Sequence, residues 1–187
     1  MAWVTRLRGR VVPQNVVGHW TGGYGSGAVL KERMANRVDR KTGKPLKLSV
    51  HYNIAQDGHI TQYEDASKTI CLHAGYMNAK SIGIEVTGLG HSKTTSTGVN
   101  LQKIKGRQVV VHNFTPEQVI SWVSLVTDLC NEFGIPKRIP AEYREYGVGQ
   151  MLTYTGVCGH LHCSYKLDPG TQLLEALVDD GFDRFAL

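Results

Sequence analysis

The stretch V-C-G-H-L-H-C-S-Y-K-L-D-P-G at 157–170 gathers histidine, cysteine, lysine and aspartate into fourteen consecutive residues. Gly159 gives the backbone freedom just before His160, and Pro169-Gly170 predicts a turn directly after Asp168. A short loop would therefore bring His160 and Asp168 together. Catalytic zinc usually takes three protein ligands and keeps a fourth position for water. These two side chains thus predict a metal site whose third ligand lies elsewhere in the chain.

A histidine near the N-terminus is a further candidate for function. Residues 11–19, V-V-P-Q-N-V-V-G-H, predict a strand with Pro13 near its start and His19 at its end, before the turn W-T-G-G. Ligands and catalytic groups of α/β folds concentrate at such strand ends. Taken by itself, a histidine at a strand end is more often a structural residue, so the case for a functional His19 depends on the motifs that follow.

An acidic residue interrupts the short apolar strand predicted for 81–87, S-I-G-I-E-V-T. A carboxylate within a buried run costs free energy unless it is paired or functional, because burial disfavours its charged form and raises its pKa. A raised pKa suits a general base, so Glu85 is the candidate for that role.

Length and charge limit the classes of function. The 187 residues are about right for one domain with a single core, and no apolar run approaches the ~20 residues that a membrane span needs. The net charge is +5, and residues 1–50 hold ten Lys and Arg against two Asp and Glu. A basic half favours an anionic partner. The patterns of nucleic-acid-binding domains are missing, so an acidic polymer such as cell wall fits, as does a simple solvated basic face.

The N-terminus and the cysteines bear on the compartment. The basic start M-A-W-V-T-R-L-R-G-R lacks the apolar region of a secretory signal, so we expect synthesis in the cytoplasm and, for action outside the cell, release by another agent. Cys71, Cys130, Cys158 and Cys163 are too few and too scattered for a disulfide scaffold. We expect reduced, mostly buried thiols, with Cys158 and Cys163 as the one pair close enough in sequence for a bridge.

The remaining chain predicts alternating helices and strands. Helices are predicted at 28–38, after the N-cap Thr115 with Pro116 at its first position, and at 172–178. The helix after Thr115 carries an apolar stripe of Val119, Ile120, Val123, Val126, Leu129, Cys130 and Phe133. Residues 48–54 and 59–63 flank Q-D-G as a hairpin, and a strand at 154–158 leads into the opening stretch. Residues 88–108 are predicted as a long mobile loop or poor hairpin, and residues 137–154 as irregular.

These motifs, taken in order, resemble one family. The matching pieces are V-V-G-H-W-T at 16–21, S-V-H-Y-N-I-A-Q-D-G at 49–58, L-H-A-G at 72–75, S-I-G-I-E at 81–85, F-T-P-E-Q at 114–118, and G-H at 159–160 followed by K-L-D-P-G at 166–170. The ordered set resembles the zinc-dependent N-acetylmuramoyl-L-alanine amidases of type 2, which include phage endolysins, muropeptide amidases and peptidoglycan recognition proteins. The expected fold is a single-domain α/β structure over 1–187, with a central mixed β-sheet flanked by helices and a zinc site at strand ends in a surface cleft.

The resemblance also implies roles. His19, His160 and Asp168 would bind Zn²⁺, Glu85 would be the catalytic carboxylate, and Lys166 would lie beside the reacting carbonyl. The substrate would be the amide between N-acetylmuramic acid and L-alanine. The partner would be peptidoglycan, with no nucleic acid, no membrane span and a monomeric state.

Some positions depart from the family or leave alternatives open. Val50 occupies the position where some relatives carry a tyrosine, so one possible transition-state donor is missing and the mechanism depends more on Glu85. The segment from His160 to Lys166 is also shorter than in several relatives. A ligand set of His160 with His162 or Cys163 stays open, although alternate residues of a strand would point to opposite sides. By resemblance, the histidine at position 73 lines the cleft or braces the fold.

Four functions compete on this sequence. The first is a phage or prophage endolysin that reaches the cell wall after release, and the second is a cytosolic amidase that trims muropeptides in wall recycling. The third is a recognition protein that binds peptidoglycan without cleaving it, but such relatives typically lack a zinc ligand, and all three positions are filled here. The fourth is a structural zinc domain, which would want closed sites with C-x-x-C pairs that this sequence lacks.

Overall fold

The computed structural model describes residues 3–9, 11–39, 41–92 and 98–187. The strands are β1 (Thr5–Leu7), β2 (Asn15–Trp20), β3 (Tyr52–Ile54), β4 (Ile60–Gln62), β5 (Thr69–Cys71), β6 (Ser81–Val86), β7 (His91–Ser92), β8 (Val99–Ile104), β9 (Arg107–His112), β10 (Arg138–Pro140), β11 (Gly156–Gly159) and β12 (Asp183–Phe185). The helices are α1 (Gly27–Ala35), α2 (Pro116–Phe133), α3 (Val148–Thr153), the single turn α4 (His160–Cys163) and α5 (Gln172–Asp179), with a 3-10 helix at Gly75–Lys80.

A five-stranded sheet forms the centre of the fold, with the strand order β11-β2-β6-β3-β4. The first four strands are parallel, and β4 pairs with β3 in the antiparallel sense across the predicted Q-D-G turn. The parallel strands are rich in valine and isoleucine and are buried, as strands covered on both faces are. This arrangement confirms the predicted single-domain α/β fold with a central mixed sheet.

The two faces of the central sheet differ in chemistry. One face packs under α2: Trp122 is fully buried, and a Cβ on Gly18 would come within 2.7 Å of its ring. The other face carries Ser81, Gly83 and Glu85 of β6 beside His19 of β2, because side chains two residues apart share a face. The polar candidates for function thus occupy the face opposite α2.

Helix α2 confirms its predicted ends and most of its predicted apolar stripe: Val126, Leu129 and Cys130 are buried, and Val119, Val123 and Phe133 pack against the same core. Thr115 and Gln118 form a capping box, and Gly134 ends the helix in the left-handed conformation with φ of 64°. Ile120, however, is 69% exposed, while Trp122, which the predicted stripe left out, is fully buried. The absence of a side chain at Gly18 makes room for the Trp122 indole.

Of the two alternatives predicted for 88–108, the long loop was wrong and the hairpin is present. Strands β8 and β9 form an antiparallel hairpin, and β7 pairs with the other edge of β9; residues 93–97 lie outside the described part of the chain. The inward face of β8 carries polar Gln102 beside Ile104, so the alternation of polar and apolar residues that indicates a strand is interrupted in the sequence. The side-chain oxygen of Gln102 accepts a hydrogen bond of 2.7 Å from the backbone of Thr171, which satisfies it there.

Smaller corrections apply elsewhere. Helix α1 spans Gly27–Ala35 rather than 28–38, and it buries Leu30 and Met34. The region 137–154, predicted to be irregular, contains β10 and α3. Strand β2 begins at Asn15 rather than at Val11.

All four cysteines are free and buried, as predicted. In the described ranges, no helix combines the length and the apolar character that a membrane span requires.

Candidate metal centre

Three side chains from two distant parts of the chain converge at the carboxyl ends of β2 and β11. His19 Nδ1 lies 3.2 Å from His160 Nδ1, and both nitrogens lie 3.0 Å from the same oxygen, Oδ2 of Asp168. His19 is buried, while the side chains of His160 and Asp168 keep 16% and 10% of their surface exposed. The structure therefore brings together all three predicted metal ligands, with the open side at His160.

Glycines let the loop around Asp168 approach the strand ends. Gly159 has an ordinary φ of −90°, so backbone freedom is not its role. A Cβ there would come within 2.5 Å of Pro169, and a Cβ on Gly18 would come within 3.2 Å of the same ring. The Leu161 backbone N–H donates a 2.8 Å hydrogen bond to the Asp168 carbonyl, which closes the loop. The glycines of G-H at 159–160 and of β2 are thus needed for close packing.

The donor set and its spacing fit a zinc ion. In a tetrahedral site with metal–ligand distances of ~2.0–2.1 Å, neighbouring ligand atoms stand roughly 3.3 Å apart. The three ligand atoms here are separated by 3.0, 3.0 and 3.2 Å. Two imidazoles and one carboxylate are also a typical ligand set of catalytic zinc, with a fourth position left for water.

The electrostatics favour the ionisation states that bind metal. Burial lowers the pKa of His19 and outweighs the opposing effect of the Asp168 carboxylate beside it, so its imidazole is neutral at neutral pH. Burial by itself would raise the pKa of Asp168, but its close contacts with His160 and then His19 hold it below its ordinary value. Neutral imidazoles and an ionised carboxylate are the forms that ligate a metal.

Glu85 lies beside the three ligands. In the register of the parallel strands it pairs with His19, so the two side chains share one face. Its Oε2 is buried, with no hydrogen-bond partner among the described residues. Burial, and then the negative charge of Asp168, raise the pKa of Glu85 to about 8. A carboxyl group with an unused oxygen and a pKa near neutrality has the properties of a general base.

The family model of N-acetylmuramoyl-L-alanine amidases matches residues 9–171, which include β2, β6, β11 and the loop to Asp168. The chain belongs to this amidase family. No curated protein matches it by sequence.

Solved structures share the fold of the amidase at low sequence identity. The N-acetylmuramoyl-L-alanine amidase LysC from Clostridium intestinale is 18% identical, with a TM-score of 0.58 over 96% of this chain and 92% of that one. The amidase AmiD from E. coli, solved with an anhydro-N-acetylmuramic acid peptide substrate, is 20% identical, with a TM-score of 0.58 over 94% of this chain and 59% of that one. The Ph2119 endolysin of a Thermus scotoductus bacteriophage is 15% identical, with a TM-score of 0.57 over 94% of this chain and 88% of that one.

Lys166 of the amidase lies apart from the convergent side chains. It is exposed, its ammonium lies 4.8 Å from the centroid of the Tyr165 ring, and its backbone N–H donates to Ser164 Oγ. Within the described ranges no hydrogen bond or ion pair joins the Lys166 side chain to Asp168 or His160. Its predicted role beside the reacting carbonyl stays a prediction.

The alternative ligands His162 and Cys163 point elsewhere. The predicted reason, opposite sides of a strand, was wrong, because residues 160–163 form the single helical turn α4. His162 Nδ1 accepts a 3.0 Å hydrogen bond from the Gly159 backbone, and the His162 ring packs against those of Tyr143 and Tyr146. The convergent group of the described residues comprises His19, His160 and Asp168 only.

Two further histidines are buried on the same face of the amidase. His73 Nδ1 lies 3.0 Å from His19 Nε2, on the side of the His19 ring away from the other ligands. Burial, and then the neighbouring histidines beginning with His19, lower the pKa of His73 well below its ordinary value. His51 accepts from the Gly83 backbone and is structural. The direct contact of His73 with His19 was not predicted, although Gly83 between Ser81 and Glu85 is a sequence sign of close approach.

Proposed function

We propose that the protein is a zinc-dependent N-acetylmuramoyl-L-alanine amidase that acts as an endolysin of a phage or prophage. The observation that carries this proposal is the triangle of His19, His160 and Asp168 with the unpaired carboxyl oxygen of Glu85 on the same face. The bond cleaved would be the amide between the lactyl group of N-acetylmuramic acid and L-alanine. Residues 1–187 would form one catalytic domain.

A zinc ion held by these three side chains would supply a water of lowered pKa and would polarise the scissile carbonyl. The Glu85 carboxylate would accept a proton of the attacking water at its free oxygen and then donate it to the leaving amine of L-alanine. His19 and Asp168, buried by the packing of the loop, exclude water from the inner side of the site. The long, flexible side chain of Lys166 would place its ammonium beside the negative charge that develops on the carbonyl oxygen.

The charge distribution supports a wall substrate. Residues 1–50 carry ten Lys and Arg against two Asp and Glu, and a basic surface attracts an anionic wall polymer. The structural likeness to the amidase LysC and to the Ph2119 endolysin is consistent with this choice.

The pH dependence follows from the environment of Glu85, whose pKa is raised to about 8, first by burial and then by the charge of Asp168. A base must be deprotonated to accept a proton, so kcat/KM should rise about tenfold per pH unit below this pKa and level off above it. A cation in the site favours the carboxylate, so the midpoint should fall at or below pH 8. Rates on a soluble muropeptide over a pH series check this. A Glu85→Gln enzyme that kept the same acid limb would contradict it.

The role of Lys166 is tested by Lys166→Met, which keeps the length of the side chain but removes its charge. If the ammonium stabilises the oxyanion, kcat should fall by about 100-fold, as for the loss of one oxyanion donor. The exposed position of Lys166 predicts unchanged stability and zinc content. Lys103→Met, at an exposed position of β8, is the matched control and should leave kcat unchanged.

The function is tested by supplying intact peptidoglycan sacculi and, separately, soluble muropeptides. An endolysin should release new L-alanine amino termini from sacculi, with matching free lactyl carboxyl groups detected by mass spectrometry. Cleavage of soluble muropeptides alone would replace the endolysin with a recycling amidase. Binding to sacculi without new amino termini from either substrate would replace both with a recognition protein.

A further inference from the structure

A chain of three hydrogen bonds leads from His19 away from the metal ligands. His19 Nε2 lies 3.0 Å from His73 Nδ1, and His73 Nε2 lies 3.2 Å from the hydroxyl oxygen of Ser81. The Ser81 hydroxyl in turn lies 2.7 Å from the carbonyl oxygen of Met77. All of these side chains are buried, so water does not substitute for any of the contacts.

The carbonyl at the far end fixes the direction of every bond in the chain. A carbonyl oxygen only accepts, so the Ser81 hydroxyl donates its single proton to Met77. Its oxygen must then accept from His73 Nε2–H. A neutral imidazole has one donor and one acceptor, so His73 Nδ1 is the acceptor and His19 Nε2–H is the donor. His19 therefore carries its proton on Nε2 and presents the lone pair of Nδ1 to His160 and Asp168.

We propose that His73 and Ser81 are positioning residues that hold His19 in the Nε2–H tautomer and so prepare its Nδ1 as a metal donor. The inference rests on the proposed zinc site. Without this chain of hydrogen bonds, the His19 proton can move to Nδ1. There the Asp168 carboxylate, 3.0 Å away, would accept a hydrogen bond from it. Metal binding would then have to displace that proton, which weakens affinity. Hydrogen-bond partners of ligating histidines generally act in this way.

The sheet is built to hold this chain. Ser81, Gly83 and Glu85 are alternate residues of β6 and therefore share one face of the sheet. Glu85 pairs with His19 of β2, so His19 lies on the same face. The His73 ring rests on Gly83: a Cβ there would come within 2.6 Å of it. The ring thus spans from Ser81 to His19 across the one position without a side chain. The Asn78 side chain accepts from the backbone N–H of His73 and fixes its approach.

This geometry distinguishes the proposal from two simpler roles for His73. As a fourth metal ligand it would have to face the other three, but its Nδ1 faces the opposite nitrogen of the His19 ring. As a brace of the fold it would need only to fill space, and an apolar side chain of similar size would replace it. The positioning role and the bracing role predict different zinc affinities when His73 is replaced by such an apolar side chain.

The test compares His73→Leu with His73→Asn. The asparagine side-chain oxygen takes the place of Nδ1 as the acceptor, whereas leucine fills space without accepting. We expect zinc affinity, measured by competition with a chelator, to fall by about 10- to 100-fold in His73→Leu. It should recover most of that loss in His73→Asn, and Ser81→Ala should lie between the two. His51→Asn, which removes the neighbouring buried histidine but none of the chain, should bind zinc like the wild type.

The proton positions are measured directly by ¹⁵N NMR of the ring nitrogens in metal-free and zinc-loaded protein. The expected result is His73 protonated on Nε2 only, in both forms. A proton on His73 Nδ1, or a folded His73→Leu variant with wild-type zinc affinity, would overturn the inference. Wild-type protein that takes up no zinc would overturn the proposed function instead. The inference about His73 is tested separately, because its tautomer is measured in the metal-free protein.

Discussion

Glu85→Gln should fold, bind zinc like the wild type, and lose about 10²- to 10⁴-fold in kcat on peptidoglycan fragments, the usual contribution of a general acid–base residue. The amide has nearly the shape of the carboxyl group but cannot accept the proton of a water. Since Oε2 has no hydrogen-bond partner in the described structure, the change breaks no bond at that atom. Steady-state rates measure the loss of kcat, and metal analysis of the same preparation measures the zinc content.

The control for this substitution is Glu117→Gln, in the first turn of α2 on the opposite side of the sheet. It makes the same chemical change at an exposed position and should leave kcat unchanged. A Glu85→Gln enzyme with near wild-type turnover and full zinc content would remove Glu85 from the mechanism. The proton would then have to pass through another group at the site.

Asp168→Ala should release the metal. Its Oδ2 is the one atom that lies 3.0 Å from both imidazole nitrogens, and it brings the only negative charge of the three ligands. Its loss should weaken zinc binding by more than the about 10- to 100-fold that the loss of a hydrogen-bond partner of a ligand costs. Metal content after dialysis and chelator competition measure the effect, and activity should fall with it.

Asp168→Asn and Cys163→Ser make this experiment specific. Asparagine keeps the volume of the side chain beside Pro169 but lacks the charge, so it should also bind zinc weakly. Cys163→Ser should keep full zinc content, because the Cys163 thiol is directed to the backbone carbonyl of His160. Full zinc content in Asp168→Ala, lost again when Cys163 is also replaced, would establish the alternative ligand set instead.

The sequence was sufficient to predict the features that depend on local chemistry. The Q-D-G turn, the capping box at Thr115 and the composition of the loop to Asp168 each follow from residues close together in the chain. The convergence of His19 with His160 and Asp168 was predicted from the resemblance to the amidase family, to which the position of His19 at a strand end gave local support. Glu85 was found because a carboxylate in an apolar strand is costly to bury.

Features that depend on pairing between distant elements were not predicted. The burial of Trp122 depends on the absence of a side chain at Gly18, and the inward position of Gln102 in the β8–β9 hairpin depends on the backbone of Thr171. The contact of His73 with His19 depends on the register of β2 and β6, which no single segment encodes. Such register is set by the whole sheet.

The most direct test of the account is a zinc titration of activity on intact sacculi. Chelator-treated protein should release no L-alanine amino termini, and activity should return in proportion to added zinc until one ion is bound per chain, then stay constant. Activity that survives complete metal removal would contradict the account. So would full zinc binding at the site without any new L-alanine amino termini.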